Sequence, residues 1–165
     1  MSRLDSFIRR LEAQRACLDY AARLVAGLPG PLLELGLGNG RTYDHLRTLF
    51  PDRDIWVCER RVAAHPDCIP PPERLLLGDM RDSLRSAGAA ALGGRVVLAH
   101  LDPGAGDPAA TAALAGELWP LLAPLLRPGA VLVSEPPVAA PTLTALPLPA
   151  GIAPGRYHLY RLRCG

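Results

Sequence analysis

The chain has 165 residues, 49% hydrophobic and 21% charged, with a formal net charge of +2. That is the composition of one folded domain with a sizeable core, and the near-neutral charge offers no basic stripe for nucleic acid. All 18 basic residues are arginine, which excludes three chemistries that need a lysine amine: the P-loop, the Schiff base, and the tyrosine–lysine pair of short-chain dehydrogenases.

Residues 2–27 read as one long helix. Leu4, Leu11, Leu18 and Val25 recur every seven residues, and Phe7, Ile8, Ala21 and Ala22 widen the stripe. Asp5, Arg9, Arg10, Glu12 and Arg15 fill the opposite side. The pattern predicts a helix packed across a sheet edge, and it would equally serve as a dimer contact or a lid over a ligand. The N-terminus has no leader pattern and no apolar run approaches a membrane span. Cys17, Cys58, Cys68 and Cys164 form no CxxC pair. The expectation is a cytoplasmic protein with reduced, buried thiols, no membrane partner and no metal.

From Pro31 the pattern becomes strand-then-helix. Leu32–Gly36 is an apolar strand interrupted by Glu34, and Gly36, Gly38 and Gly40 alternate before a helix over 41–50. Physically this is a strand that stops abruptly, a turn without Cβ atoms, and a helix N-terminus facing the gap. Strands follow at 54–59 and 73–77, then a helix at 80–92, a buried strand at 95–101, and a helix at 108–126 that Pro120 and Pro124 should kink or divide. Arg127-Pro-Gly129 turns into a strand at 130–134. The alternation argues for a parallel sheet with helices on both faces. The tail differs: 144–148 and 156–163 read as an antiparallel pair closing the sheet. The whole is expected to be one domain, with a helix at 1–30, a core at 31–134 and the closing pair at 135–165.

In open α/β sheets the ligand lies beyond the carboxyl ends of the strands. Those ends carry Glu34, Glu59, Asp79, Asp102 and Glu135, an acidic set that attracts a cation and repels a pyrophosphate. Glu59 is placed to accept hydrogen bonds from ribose hydroxyls, and Asp79 from an exocyclic amine, with the Met80 amide donating to a ring nitrogen. Glu34 is a charge inside an apolar strand, costly unless paired; an ammonium group on the ligand is the expected partner.

Glu34-Leu-Gly-Leu-Gly-Asn-Gly40 resembles motif I of class I S-adenosylmethionine-dependent methyltransferases, E/D-x-G-x-G-x-G. Glu59 matches that family's ribose-binding acid, Gly78-Asp79-Met80 its adenine-recognition turn, and Leu126-Arg-Pro-Gly-Ala-Val-Leu-Val133 its phrase before the fifth strand. Residues 1–30 look closest to a small bacterial group with an N-terminal helix. The resemblance implies a Rossmann-like α/β sheet, mostly parallel with an antiparallel last strand, helices on both faces and a reduced C-terminal half. It further implies S-adenosyl-L-methionine held by Glu34, the turn Gly36, Leu37, Gly38, Asn39 and Gly40, then Thr42. Glu59, Arg60, Gly78, Asp79, Met80 and Asp102 complete that set. The asparagine-proline-proline-aromatic motif of amino-group methyltransferases is absent, with His100-Leu-Asp-Pro103 in its place, which argues against adenine or glutamine as acceptor.

The expected reaction is in-line methyl transfer to a small-molecule acceptor not legible in the chain. A base is needed only if the acceptor must lose a proton, and Asp102, His100 and Glu135 are candidates by position. Asp102 and Glu135 on adjacent strands could alternatively hold a magnesium ion, as in catechol-type O-methyltransferases. Two other readings stay open: a non-catalytic S-adenosylmethionine- or S-adenosylhomocysteine-binding protein, and a nicotinamide oxidoreductase. A homodimer or higher homo-oligomer could form through the N-terminal helix.

Overall fold

The computed structural model describes residues 2–104 and 106–164. A seven-stranded sheet runs in the order β3-β2-β1-β4-β5-β7-β6, with β1 at Leu32–Leu35, β2 at Ile55–Glu59, β3 at Leu75–Leu77, β4 at Val96–Leu101, β5 at Leu126–Ser134, β6 at Leu143–Ala145 and β7 at His158–Leu162. β1 pairs in parallel with β2 and β4, β2 with β3, and β4 with β5. β7 is antiparallel to both β5 and β6. The central strands are apolar on both faces, as a sheet covered on both sides requires.

The expected helix at 2–27 is α1, Arg3–Leu24, started by a reciprocal cap in which Ser2 Oγ accepts from the Asp5 amide and Asp5 accepts from the Ser2 amide. It lies on a sheet face and not across an edge: its buried residues Ala13, Gln14, Cys17, Leu18 and Ala21 pack over β5, β7 and α2 (Arg41–Leu49). Leu32, Val57, Leu98, Val131 and Val133 supply the sheet side of that layer. Leu4, Phe7 and Ile8 at its start remain exposed, so the apolar stripe read from sequence is only partly a core stripe.

The opposite face carries α3 (Met80–Arg85), α4 (Ala87–Ala90) and α5 (Pro108–Leu122). The single helix expected at 80–92 is two, because Ser86 Oγ donates to the Ser83 carbonyl and accepts from the Ala89 amide, ending one helix and capping the next. α5 runs through Pro120 without division, since Leu118, Trp119 and Leu122 are buried against the sheet; a short 3₁₀ turn with Pro124 ends it. Pro128-Gly129 forms a bulge inside β5 and not a turn before it: the register with β4 jumps between Val96 and Leu98. Among the described residues no helix separates β5 from β6 and none is long and apolar enough to cross a membrane. All four cysteines are free; Cys17 and Cys58 are buried, their thiols pushed up by burial to about 11 and about 12, while Cys68 is half-buried and Cys164 exposed.

Candidate functional site

Backbone hydrogen bonds continue one residue past four strands and level their ends. Gly36 donates to the Cys58 carbonyl, Gly78 to Glu59, Asp102 to Leu35 and Glu135 to Leu101. Glu59, Asp102 and Glu135 are therefore level with Gly36, while Glu34 lies two residues back inside β1 and Asp79 two residues past the end of β3. Gly36 has φ +100, and a Cβ there would lie 2.4 Å from the Asp102 carbonyl oxygen, so only glycine lets β1 turn against β4. Gly38 has φ +53 and a Cβ there would meet nothing within 4 Å, because it borders open space.

Two connected spaces share this glycine turn. A cleft of about 680 Å³ is lined by Gly36, Gly38, Glu59, Arg60, Asp79 and Met80, with Asp102 at one end. A smaller one of about 260 Å³ lies under α1, between Leu37, Asn39, Thr42 and Asp102 on one side and Phe7 and Arg10 on the other. Glu34, Gly40 and Gly78, also expected at the site, line neither: Glu34 is fully buried, Gly40 caps α2 in the left-handed conformation, and Gly78 is the hinge between β3 and α3.

The acids are not bare. Glu59 Oε2 accepts from the Leu37 and Gly38 amides at 2.8 and 3.1 Å, and Oε1 from the Arg60 and Arg61 amides at 2.7 and 3.0 Å. Partial burial opposes its ionisation, but these four bonds outweigh it and hold the carboxyl below its usual range. All four lone-pair directions are occupied, so Glu59 ties the glycine turn to the β2 end. Asp79 caps α3 by accepting from the Arg81 amide at 2.9 Å, and Arg81 bridges on to Glu117. The row of carboxylates is thus largely compensated from within, and the cleft is less negative than the sequence suggests.

Glu34 does not wait for a ligand cation. Parallel register sets it opposite His100 on β4, with Nδ1 3.2 Å from Glu34 Oε1, while the Thr42 hydroxyl donates to the same oxygen. His100 Nε2 lies 3.2 Å from the Tyr157 hydroxyl. That hydroxyl accepts from Gln14 Nε2 at 2.6 Å and donates to Asp102 Oδ2 at 3.3 Å. Nδ1 faces the Glu34 carboxylate and donates to it, and Nε2 shares the Tyr157 hydroxyl with Asp102. Burial opposes a charge on His100, but the adjacent Glu34 carboxylate overrides it and lifts the histidine above its ordinary value. Burial, then Asp102, pushes the Tyr157 hydroxyl well up. His100 has no exposed surface and cannot touch an acceptor, which removes it as a general base. Glu34 Oε2 is buried without a hydrogen-bond partner among the described residues.

Asp102 closes the chain of charges. Arg10 Nη2 lies 2.9 Å from both its oxygens, and Gln14 donates at 2.9 Å. Glu135 Oε1 is 3.9 Å from Arg10 Nε, so the cation between Asp102 and Glu135 is a guanidinium. Among the described residues no three His, Cys, Asp or Glu side chains cluster in a way that could hold a metal ion. Burial first, then Asp102, raises the Glu135 carboxyl above its usual range. Beyond Asp102 lies a third cavity, of about 430 Å³, reached by Asp107, Thr111, Glu135 and His158.

Arg10, Gln14 and Tyr157 are the residues that sequence reasoning missed. Arg10 had been assigned to the solvent side of its helix. The spacing Arg10, Gln14, Cys17, Ala21 continues the buried stripe toward the N-terminus, and that pattern was readable.

The residues present suit an adenosyl sulfonium cofactor. An open turn at Gly38 and one cleft joining Glu59 to Asp79 and Met80 are both there. The sequence model of a family described as S-adenosyl-L-methionine methyltransferase matches residues 1–162. A comparison with curated proteins returns no match. Among solved structures, the chain is similar to an S-adenosyl-L-methionine methyl transferase from Silicibacter pomeroyi DSS-3, with 45% identity, TM-score 0.92 and coverage of 98% of this chain and 99% of that one. Human methyltransferase-like protein 13, solved in complex with S-adenosylhomocysteine, shares the fold at 16% identity and TM-score 0.54, covering 95% of this chain and 82% of that one. The chain belongs to the S-adenosyl-L-methionine methyltransferase family, a Rossmann-like enzyme family whose cofactor is S-adenosyl-L-methionine.

Proposed function

We propose that this methyltransferase holds the adenosine part of its cofactor in the cleft from Glu59 to Met80 and methylates a small molecule in the cavity beyond Asp102. The observation that carries this reading is the single cleft in which the glycine turn, Glu59, Asp79 and Met80 meet. Glu59 accepts the ribose hydroxyls by exchanging them for the Leu37 and Gly38 amides it now holds. Asp79 and the Met80 amide face the adenine edge.

When bound, the cofactor supplies an activated methyl on a sulfonium leaving group. The protein's own work is alignment, which alone can contribute up to roughly 7–11 kcal/mol. Glu135, with its raised pKa, is the carboxylate best placed to accept a proton from the acceptor. His158, whose pKa partial burial lowers, shares that cavity. Asp102 is engaged by three donors and serves less well as a base. A cavity of about 430 Å³ supports a small acceptor rather than a macromolecular one. The exposed Leu4, Phe7 and Ile8 support self-association through α1, which light scattering would test.

Titration calorimetry with S-adenosylhomocysteine and with NAD, followed by methyl transfer over a panel of small amines, phenols and carboxylic acids, tests the proposal. Tight binding of the former with transfer to a panel member is expected. Preference for NAD would overturn the assignment of the cleft, and transfer only to RNA or protein would overturn the small acceptor.

A further inference from the structure

The other end of the sheet carries a further cavity, which methyl transfer does not use. At the amino ends of β2 and β3 three guanidiniums each lie over an aromatic ring: Arg47 over Tyr43 at 5.0 Å, Arg53 over Phe50 at 5.2 Å and Arg74 over Trp56 at 5.0 Å. The three arginines, Tyr43 and Phe50 line one space of about 260 Å³. The cofactor cleft begins at the far end of β2, a strand of 5 residues, and so lies roughly 17 Å away. A guanidinium packed over a ring keeps its in-plane N–H edges for partners, and the protein does not use them up. Arg47 Nη2 donates to Asp44 Oδ1 at 2.6 Å and to the Asp67 carbonyl at 2.7 Å, and Arg74 Nη2 lies 3.0 Å from Asp54. Arg53 has no carboxylate: Nη2 reaches only the Val25 and Ala26 carbonyls, and Nη1 is buried without a partner among the described residues. Tyr43 is 4% exposed, and its hydroxyl has no hydrogen-bond partner among the described residues. Burial pushes that phenol up, so it remains a donor.

Two acids also border the space. Asp54 is committed to Arg74, and Glu73 is exposed to solvent and holds no arginine among the described residues. Three fixed cations against two acids leave a surplus of positive charge. Such a hollow, rich in N–H and O–H donors, complements an oxyanion. We propose that Tyr43, Arg47, Arg53 and Arg74 form a second site, at the amino edge of the sheet, for a phosphate group, free or as the monoester of a small molecule. Phosphate fits better than carboxylate because the donors come from α2, from the loop before β2 and from the turn before β3. A tetrahedral dianion meets such donors with oxygens on every side, whereas a carboxylate presents two in one plane. Arg53 also holds the end of α1 through Val25 and Ala26, so a phosphate bound here fastens α1 and α2 to the sheet. The site stands apart from the cofactor cleft and does not depend on its assignment.

The test is NMR of the arginine Nε–Hε groups of the full chain, titrated with sodium phosphate at constant ionic strength. Saturable shifts are expected for Arg47, Arg53 and Arg74. Arg47→Gln should weaken phosphate about tenfold or more, the scale of a charge-assisted hydrogen bond. Tyr43→Phe keeps the ring beneath Arg47 and removes only the hydroxyl, and should weaken phosphate about threefold or more. Phenyl phosphate binding tighter than inorganic phosphate identifies a monoester as the ligand, and the reverse order identifies free phosphate. Shifts that grow without saturating overturn the site, since the arginines then only staple the loops to the rings. Equal affinity in wild type, Arg47→Gln and Tyr43→Phe overturns it as well. Acetate that competes as well as phosphate overturns the choice of phosphate, and saturation by an RNA oligonucleotide but by neither small phosphate overturns the small ligand.

Discussion

Replacing His100 with glutamine should cost this protein stability in a pH-dependent way. Glu34 and His100 both have zero side-chain exposure, so no solvent screens the pair. Removing one partner of a buried ion pair strands the other, at about 3–5 kcal/mol. For a chain of this length each kcal/mol moves the unfolding midpoint by about 2–4 °C, so His100→Gln should lower it by roughly 6–20 °C. The sign with pH follows from the raised pKa of His100. Its stabilisation is complete below the free-imidazole value of about 6.5 and is lost as pH rises through the higher value in the folded chain. Thermal unfolding by circular dichroism across that window should show the wild-type midpoint falling toward alkaline pH. In His100→Gln that component should be missing. The double variant Glu34→Gln/His100→Gln should lose less than the sum of the two singles, since neither charge is then left alone. Additive losses, or the same pH profile in wild type and His100→Gln, would refute the buried ion pair.

Three other outcomes follow from the site. Glu59→Ala should weaken S-adenosylhomocysteine at least tenfold, about 1.4 kcal/mol or more, in a calorimetric titration; an unchanged dissociation constant would show that Glu59 is not the ribose acceptor. Gly36→Ala places a methyl 2.4 Å from the Asp102 carbonyl, whereas Gly38→Ala meets only open space at a left-handed φ costing about 1–2 kcal/mol. Gly36→Ala should therefore lower the melting temperature much further, while Gly38→Ala should mainly weaken cofactor binding, and equal melting temperatures would contradict the geometry. With an acceptor that must lose a proton, Glu135→Gln should reduce kcat by about 10²–10⁴-fold and remove the acid limb of the pH–rate profile, with S-adenosylhomocysteine affinity unchanged. A wild-type rate in that variant would eliminate Glu135 as the base.

Local pattern determined much of this protein. The switch from helical period to alternating strand and helix, the G-x-G-x-G turn, and an acid at each strand end specify an α/β sheet with a ligand at its carboxyl edge. These follow from backbone sterics and burial, which act over a few neighbouring residues. The splitting of residues 80–92 at Ser86 and the passage of α5 through Pro120 were not decided locally; a side-chain cap settled the first and packing against the sheet the second. Charge was the larger difference. In sequence Glu34 reads as an unpaired acid awaiting a ligand cation and Asp102 as an open strand-end carboxylate, because the groups that compensate them lie far along the chain. His100 is 66 residues from Glu34, and Arg10 is 92 residues from Asp102. Only strand register and the docking of α1 bring them together.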